Sequence, residues 1–338
     1  MISLLLKRKW ISITAVVVIV IGFLIVVLTL TKPKDFPAGQ PRTPILITIT
    51  NGETGTAIAQ DLAAKSVVLK ASTLIAKIIA SSSAVGIAPG IHRIDTHIPS
   101  ELAITELLDQ KRIVDSISVL PGSTVSDVLK ELHGASSLKQ DDNLSKIVPA
   151  FSNARNSLEG QLAPKQYSFA PGTSTGHALS SMVKSFSEEI SGTKMQSGYE
   201  HFDAYQVLTI ASLIQIEADP QDYGKAARVI YNRLRIGMPL QLNSTVAYAQ
   251  GLRGQIGLSL AATKIPSPYN TYLNVGLPPT PISNPSLDAI NGALNPADGN
   301  WLYFITVKPH DTRFTSDFTI FEKWVTLYNQ NVKAGLFK

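Results

Sequence analysis

The sequence predicts an α+β protein with a single N-terminal transmembrane helix, a small mixed module and then a larger mixed α/β domain. Three features predict this organisation. A long apolar run follows Lys7-Arg8-Lys9, short β-rich runs alternate with helical segments after it, and one strongly apolar helix lies in the second half. A chain of 338 residues has room for an anchor and two domains.

The apolar run from Trp10 to Leu30 is long enough to cross a bilayer, because a helix rises roughly 1.5 Å per residue and the hydrocarbon core measures about 30 Å. It exceeds the apolar part of a signal peptide, about 7–15 residues, and no Ala-x-Ala follows it. We therefore expect an uncleaved anchor at residues 10–31, with residues 1–9 in the cytoplasm and the rest exported. Residues 32–44 contain four prolines, which favours a semi-rigid linker.

Composition excludes several classes of site. The chain has no cysteine, which excludes disulfides and thiolate metal sites, and its six histidines lack the HExxH spacing. We therefore expect no metal and no cofactor. The net charge of +5 comes partly from the basic flanks of the apolar run, and no basic run is interleaved with aromatic residues. These features indicate no nucleic-acid partner.

Residues 45–115 predict a small module of strands and helices. Its expected elements are a strand at 45–50, helices at 57–64 and 72–82, a strand at 90–94 and a helix at 99–108. No aromatic residue occurs between Phe36 and Phe151, so a sugar-binding module here would lack the usual stacking platforms.

Three segments repeat one layout, in which a strand leads to a glycine turn and a Ser or Thr then caps a helix. The turns contain Gly52, Gly122 and Gly172. The helices that follow are expected at 57–64, 125–132 and 177–190. The repeat indicates mixed α and β structure and carries no direct information about chemistry.

The helix from Asp203 to Glu217 organises the larger domain. Asp203 followed by Gln206 fits an N-cap with its reciprocal partner, and Asp219-Pro220 is a stop signal because proline disfavours helical backbone in the residue before it. Too many apolar residues precede Glu217 for one helix face, which indicates a helix buried nearly all round. They are Val207, Leu208, Ile210, Ala211, Leu213, Ile214 and Ile216.

Glu217 is a lone carboxylate in the last turn of this apolar helix. The negative end of the helix dipole and burial both raise the pKa of a carboxyl group. A carboxyl that stays protonated near neutral pH can act as a general acid. The alternative is an acid at a helix end that simply points into water.

The sequence after residue 221 predicts further helices and strands. They are a helix at Asp222–Ile236 closed by Gly237 at its C′ position, a helix start capped by Asn243, a helix at 287–294, a hairpin of 302–307 with 314–315, and an amphipathic helix at 318–331.

Five motifs in order resemble the endolytic murein transglycosylases of the MltG/YceG-like family, most strongly over residues 157–325. The first contains Glu217 and the others follow it along the chain. They are Ala211–Ala218, Val229–Leu234, Gly237–Val246 with Tyr248, Tyr269–Tyr272 and Gly276–Pro285. The resemblance implies a LysM-like module at 45–115 and a YceG-like catalytic domain at 116–338. For the module, a packing domain without sugar affinity is the alternative.

The resemblance also implies a reaction. Glu217 would protonate the glycosidic oxygen of the β-1,4 bond between MurNAc and GlcNAc and then accept the proton of the MurNAc C6 hydroxyl, which leaves a 1,6-anhydro end. The substrate would be nascent peptidoglycan strands at the outer face of the plasma membrane, where cleavage would end glycan elongation. The anchor would hold the enzyme there, with cell-wall synthases as neighbours.

Ten residues are candidates for substrate binding. For six of them a structural role is the alternative: Glu159, Asn232, Arg233, Tyr248, Tyr269 and Tyr272. Carboxamides and a carboxylate can bind sugar hydroxyl or acetamido groups, tyrosines can stack on sugar rings, and Arg233 suits a carboxylate. The ten are Glu159, Asn232, Arg233, Asn243, Thr245, Tyr248, Tyr269, Asn270, Tyr272 and Asn284. Ala163, Asn243 and Thr312 depart from residues that many family members carry, and we assign no catalytic histidine.

Three other functions stay open. An ordinary hydrolase would need a second carboxylate, from Asp219, Asp222 or Glu159, to activate water. A membrane-anchored scaffold would bind glycan without cleaving it. A purely structural partner of the division machinery would have no affinity for glycan.

Overall fold

The computed structural model describes residues 35–337, apart from residues 40–41, 82–85, 142–145, 152, 154–156 and 253–260. The chain divides into two compact units, of which the first ends at Val114 and the second begins at Asp115. The predicted tail at 1–9 and the predicted anchor at 10–31 lie outside the described residues. Among the residues that are described, no helix combines the length and apolar character needed to cross a membrane.

The first unit is a three-stranded antiparallel sheet with three helices. Its elements are β1 (Pro44–Ile49), α1 (Gly55–Ala64), α2 (Ala71–Ser81), β2 (Gly90–Asp95), α3 (Ser100–Leu108) and β3 (Ile113–Val114). The strand order is β1-β2-β3, with Pro44 opposite Asp95 and Ile91 opposite Val114. The predicted elements of this segment are confirmed to within about two residues. The core is aliphatic and includes Ile47, Leu62, Leu74, Ile94 and Leu107.

The second unit contains two small sheets and seven α-helices among its described residues. Its elements are β4 (Ile117–Ser118), α4 (Val125–Gly134), β5 (Gln166–Tyr167), α5 (Thr175–Ser191), α6 (Ala204–Glu217), α7 (Tyr223–Arg235), α8 (Asn243–Ala249), α9 (Leu287–Leu294), β6 (Tyr303–Lys308), β7 (Asp311–Thr315) and α10 (Phe318–Lys333). Strand β4 pairs with β5, and β6 pairs with β7, both antiparallel.

The repeated turn-and-cap layout is confirmed at all three positions. The side chains of Thr54, Thr124 and Ser174 accept the main-chain N–H at the start of α1, α4 and α5. Gly122 and Gly172 take φ angles of 85° and 81°, which glycine adopts without steric cost. The repeat is therefore a local device for starting helices.

Helix α6 lies at the centre of the larger core, as its apolar sequence predicts. It begins with the expected capping box, in which Asp203 and Gln206 each accept the other's main-chain N–H. Residues from Tyr205 to Ile214 along α6 are buried except Gln206. The helix packs against α7 and α9. One expectation is wrong: Ile216 is 41% exposed, because the last turn of the helix leaves the core.

The two predicted boundaries around α7 are confirmed. Pro220 opens a single 3₁₀ turn after α6, and α7 follows at once. Gly237 takes a φ of 66°, and Met238 N donates to Arg233 O at 2.9 Å, which is the bonding of a glycine C-cap. This sharp ending directs the chain toward α8, beside the end of α6.

The C-terminal hairpin and helix also match the prediction. Strand β6 is shifted by one residue from the predicted 302–307, β7 is three residues longer than expected, and α10 packs against β6. None of the residues of α10 is fully buried, although many are apolar. One face of this helix therefore lines a pocket, which is described below.

Candidate active site

Glu217 is held at the end of α6 by one residue of α8. Its Oε1 accepts a hydrogen bond from Ser244 N at 3.3 Å and a short hydrogen bond from the Ser244 hydroxyl. The side chain is half-buried and lines a pocket of about 430 Å³. Pockets for small ligands commonly measure about 300–1,000 Å³.

The pKa of Glu217 is raised above its ordinary value. Burial is the main cause, since it disfavours the carboxylate, while the two Ser244 donors and the nearby Arg233 charge lower the pKa by smaller amounts. The rise agrees in direction with the expectation from sequence. The group therefore holds its proton to higher pH than an exposed glutamate does.

Arg233 brings a positive charge to the same pocket. Three main-chain oxygens hold its guanidinium: Nε donates to Leu302 O at 2.6 Å, and Nη1 donates to Leu240 O at 2.6 Å and to Pro239 O at 3.4 Å. The side chain is only 7% exposed. Arg233 thus joins α7 to the chain before α8 and before β6, and its placement is rigid.

Asn243 and Tyr272 complete the polar side of the pocket. The Tyr272 hydroxyl donates to Asn243 Oδ1 at 2.7 Å. The expectation that Asn243 caps a helix is wrong, because α8 begins at Asn243 itself and no side chain caps it from position Leu242. The Asn243 side chain instead lines the pocket with Tyr272, and Leu242 N donates to Thr271 Oγ1 at 3.0 Å.

Aromatic side chains from the C-terminal segment form the apolar side of this pocket, and sequence reasoning missed them. They are Tyr303, Phe304, Phe318, Phe321, Tyr328 and Phe337. A signal was present, since nine of the chain's 24 aromatic residues lie between residues 301 and 338. Aromatic rings offer flat apolar faces, which suit the faces of sugar rings.

Glu159 belongs to a second group of contacts. Its carboxylate is buried and accepts Val125 N at 3.1 Å and the Tyr248 hydroxyl at 3.0 Å. The Tyr248 ring packs against Tyr269 with 5.0 Å between ring centroids. Burial and the Glu159 charge raise the pKa of Tyr248. These three predicted residues come together, but they do not line the pocket that holds Glu217.

Helix α8 connects the two glutamates. Ser244 contacts Glu217, and Tyr248, one turn later on the same face, contacts Glu159. One helix therefore contacts both glutamates through two separate hydrogen bonds.

Asn232 and Thr245 use their side chains to hold main chain. Asn232 Nδ2 donates to Gly299 O and Trp301 O at 3.2 and 3.0 Å, and Thr245 Oγ1 donates to Leu242 O at 2.8 Å. Both are buried and neither lines the pocket with Glu217. Both side chains therefore have structural roles in this fold, because their donors bind main-chain carbonyl oxygens.

Asn270 and Asn284 are also occupied by main-chain groups. Asn270 Nδ2 donates to two carbonyl oxygens of the preceding loop at 3.0 and 2.8 Å. Asn284 Oδ1 accepts Leu162 N at 3.0 Å, and its Nδ2 donates to Ser123 O at 3.0 Å. Both side chains are buried, so they shape the loops around the site.

Glu217 is the single carboxylate among the described residues that line this pocket. Asp219 Oδ2 lies 3.0 Å from His310 Nδ1, and Asp222 Oδ1 accepts Lys225 Nζ at 3.1 Å. Neither aspartate lines the pocket. The arrangement can therefore supply one acid and one fixed cation to a bound molecule.

Comparison with known proteins agrees with the motifs. The model of the YceG-like family matches residues 47–326. Endolytic murein transglycosylases from two strains of Streptococcus pneumoniae are 41% identical over 160 residues, 46% of this chain and 29% of theirs. The endolytic murein transglycosylase of Bacillus subtilis is 37% identical over 165 residues, 48% of this chain and 46% of its own. The matches therefore span less than half the length of these relatives.

A solved structure shares the fold. The crystal structure of a YceG-like protein from Listeria monocytogenes superposes with a TM-score of 0.57 at 23% identity, covering 84% of this chain and 99% of that one. Because the family model covers most of the sequence, including every residue of the pocket except Tyr328 and Phe337, the chain belongs to the YceG-like family.

Proposed function

We propose that this protein is an endolytic murein transglycosylase, a lyase that cleaves the MurNAc–GlcNAc β-1,4 bond of peptidoglycan strands. Membership of the YceG-like family and the names of the pneumococcal and Bacillus relatives support this class of reaction. The observation that carries the mechanism is the pocket with one carboxylate, Glu217, whose pKa is raised.

A single carboxylate suits this reaction better than hydrolysis. Most glycosidases use two carboxyl groups on either side of the bond, one as acid and one as base or nucleophile. In a lytic transglycosylase the C6 hydroxyl of the same MurNAc replaces the second group and water. Because both reacting atoms belong to one sugar, the step is intramolecular, which lowers its entropic cost.

Glu217 transfers the proton in both directions. In the first step its proton moves to the glycosidic oxygen as the bond from that oxygen to C1 of MurNAc breaks. In the second step the C6 oxygen bonds to C1, and its proton returns to Glu217. Ser244 holds Oε1, so Oε2 is the oxygen that carries the proton. The products are an anhydro end and a free GlcNAc hydroxyl, and no water is consumed.

The proposed place of the reaction is the outer face of the plasma membrane. The apolar run at 10–31 supports a single-pass anchor with the catalytic unit exported. There the enzyme meets nascent strands beside cell-wall synthases, and each cut ends the elongation of a strand. Along the sequence, the proposed LysM-like module at 45–115 follows the anchor and precedes the catalytic unit.

Product analysis tests the proposal. The full-length chain in detergent and its Glu217→Gln variant are incubated with uncrosslinked glycan strands, and the fragments are weighed by mass spectrometry. We expect the parent to release fragments one water lighter than hydrolysis products, and Glu217→Gln to release none. Glu188→Gln is the matched control. Because Glu188 is exposed on α5, this variant should cleave the strands as the parent does.

Two results would contradict the proposal. Fragments with hydrated reducing ends would identify a hydrolase with a second carboxylate outside the pocket. Glycan binding without cleavage by the parent, on strands that a known lytic enzyme cuts, would identify a wall-binding scaffold.

A further inference from the structure

Arg233 is a buried cation whose charge no carboxylate of the described residues balances by direct contact. In the described part of the chain, no carboxylate oxygen lies within 4.0 Å of its guanidinium. Other arginines of this protein do form such pairs, for example Arg235 with Glu200 and Arg313 with Asp311. The partners of Arg233 are neutral: three main-chain oxygens, and the Tyr303 ring, whose centroid lies 5.4 Å from the guanidinium carbon.

A buried charge without a counter-ion is costly, so an anion in the pocket would bind favourably. Glu217 acts on Arg233 only through the longer-range interaction of their charges. In the proposed reaction Glu217 starts in its protonated, neutral form. The pocket then has a net positive charge at the moment when it receives substrate.

The Arg233 guanidinium also has N–H donors that no acceptor among the described residues binds. Nε and Nη1 bind main-chain oxygens, whereas Nη2 donates to none of the described residues. Arg233 lines the pocket, and the neutral side chain of Asn243 lines it too. An arginine held rigidly by its other nitrogens loses little entropy when it binds an anion.

We propose that Arg233 forms an anion subsite that binds a carboxylate of the muramyl unit during cleavage. This inference rests on the proposed function, because it names the part of that substrate which the cation recognises. The hydroxyl and acetamido groups of glycan strands are neutral. Carboxylates come from two sources, the lactyl group of a MurNAc without a peptide and the peptide stem itself.

Removing Arg233 is a poor first test, because its guanidinium holds the main chain before α8 and β6. The first test therefore keeps Arg233 and changes the carboxylates of the ligand. Binding to full-length Glu217→Gln, which cannot cleave, is measured by calorimetry with MurNAc–GlcNAc oligomers that have no stems. The same oligomers with the lactyl carboxylates converted to primary amides are compared. A second pair of oligomers carries stems, with carboxylates free or amidated.

In the pair that carries the recognised carboxylate, we expect amidation to weaken binding about tenfold. A tenfold loss of affinity corresponds to about 1.4 kcal/mol. A loss in the stemless pair identifies the lactyl group, and a loss only in the stemmed pair identifies the peptide. Equal affinity before and after amidation in both pairs would overturn the anion subsite and leave the transglycosylase intact. Failure of every oligomer to bind would overturn the proposed function as well.

A protein variant provides the second test. Adding Asn243→Asp to Glu217→Gln places a competing carboxylate in the pocket. We expect this change to remove most of the preference for the free carboxylate, measured as the ratio of the affinities for the free and the amidated oligomer of one pair. If the preference for the free carboxylate persists at full size, with an unchanged Tm, Arg233 is not the group that recognises it.

Discussion

Ser244 donates both its main-chain N–H and its hydroxyl to one oxygen of Glu217, Oε1. The two donors fix the rotation of the carboxyl group and bind only Oε1, so Oε2 receives no hydrogen bond from Ser244. They also favour the charged form, so they oppose the effect of burial on the pKa of Glu217. Ser244 lies 27 residues after Glu217, and no sequence pattern connects the two.

The first prediction concerns the Ser244 hydroxyl. In Ser244→Ala the pKa of Glu217 rises, because a hydrogen bond that stabilised its charged form is lost. A general acid works while it is protonated, so the alkaline limb of the pH–rate profile moves to higher pH. We also expect kcat to fall about tenfold, since positioned proton transfer contributes roughly 10²–10⁴-fold in total.

Two variants control this measurement. Ser244→Thr keeps the hydroxyl and should restore most of kcat and the original pH profile. Ser180→Ala removes an exposed hydroxyl on α5 that bonds only to its own helix, and should leave both unchanged. An unmoved alkaline limb in Ser244→Ala would show that the hydroxyl does not act on Glu217.

The second prediction concerns stability against pH in Glu217→Gln. The pKa of Glu217 is higher in the folded state than in the unfolded state. The protonated side chain therefore adds to the free energy of unfolding at low pH, and this stabilisation is lost as the pH rises through the folded-state pKa. Near neutral pH the variant should therefore be more stable than the parent by about 1 kcal/mol, or about 2–4 °C in Tm.

Thermal unfolding across a pH series checks the sign of this effect. The advantage of Glu217→Gln should vanish at acidic pH, below the ordinary pKa of a glutamate, because Glu217 is then protonated in both states. Glu188→Gln, at an exposed position, should show no comparable gain near neutral pH. A destabilised Glu217→Gln near neutral pH would contradict the raised pKa.

The third prediction separates Glu159 from the chemistry. Tyr248→Phe removes one donor to the buried Glu159 carboxylate but keeps the aromatic ring. We expect a loss of about 1–3 kcal/mol in the free energy of unfolding. The alkaline limb of the pH–rate profile should stay in place, because Glu217 is held through Ser244.

Tyr269→Phe is the matched control for that variant. It loses a contact between two hydroxyls, with Thr280, and Thr280 Oγ1 also lies 2.8 Å from Pro281 O. Its loss of stability should be smaller than that of Tyr248→Phe. A shifted pH profile in Tyr248→Phe would place Glu159 in the proton transfer.

The fourth prediction concerns Asn284, which joins two distant loops. Besides its side-chain bonds to Leu162 N and Ser123 O, its main-chain N–H donates to Ser123 O and its carbonyl accepts Gly122 N, each at 2.7 Å. Asn284→Ala keeps the two main-chain bonds, but it leaves the buried Leu162 N–H without its partner and removes one of the two donors to Ser123 O. We expect a loss of about 1–3 kcal/mol in the free energy of unfolding.

Urea unfolding measures this loss as a lower midpoint at an unchanged slope. Asn291→Ala, at an exposed position in α9, should change stability by less than about 0.5 kcal/mol. Wild-type stability together with lost glycan affinity in Asn284→Ala would show that this amide contacts substrate, as sequence suggested.

Sequence reasoning succeeded where the signals are local. The capping box of α6, the Pro220 stop and the Gly237 C-cap each depend on residues within one turn of one another. Such groups find their partners in any compact fold, so the pattern alone predicts them. The apolar character of α6 also placed Glu217 at the edge of a core.

Long-range contacts account for what sequence reasoning missed. The contact of Ser244 with Glu217, the aromatic side of the pocket, and the main-chain partners of Asn232 and Asn284 all join segments far apart in the chain. Asn243 illustrates the same limit, because its residue type suits a helix cap and yet Tyr272 binds it instead. A polar side chain binds the group that folding brings within reach.

The sequence by itself determined the helix that carries Glu217, the turns around it and the family to which the chain belongs, because these depend on local chemistry and on ordered motifs. Only the tertiary structure decided which polar residues reach the pocket. It joined Glu217 to Ser244 and left Arg233 without a carboxylate partner among the described residues. Hydrogen bonds and burial are properties of three-dimensional neighbours, and those neighbours exist only after the core around α6 has formed.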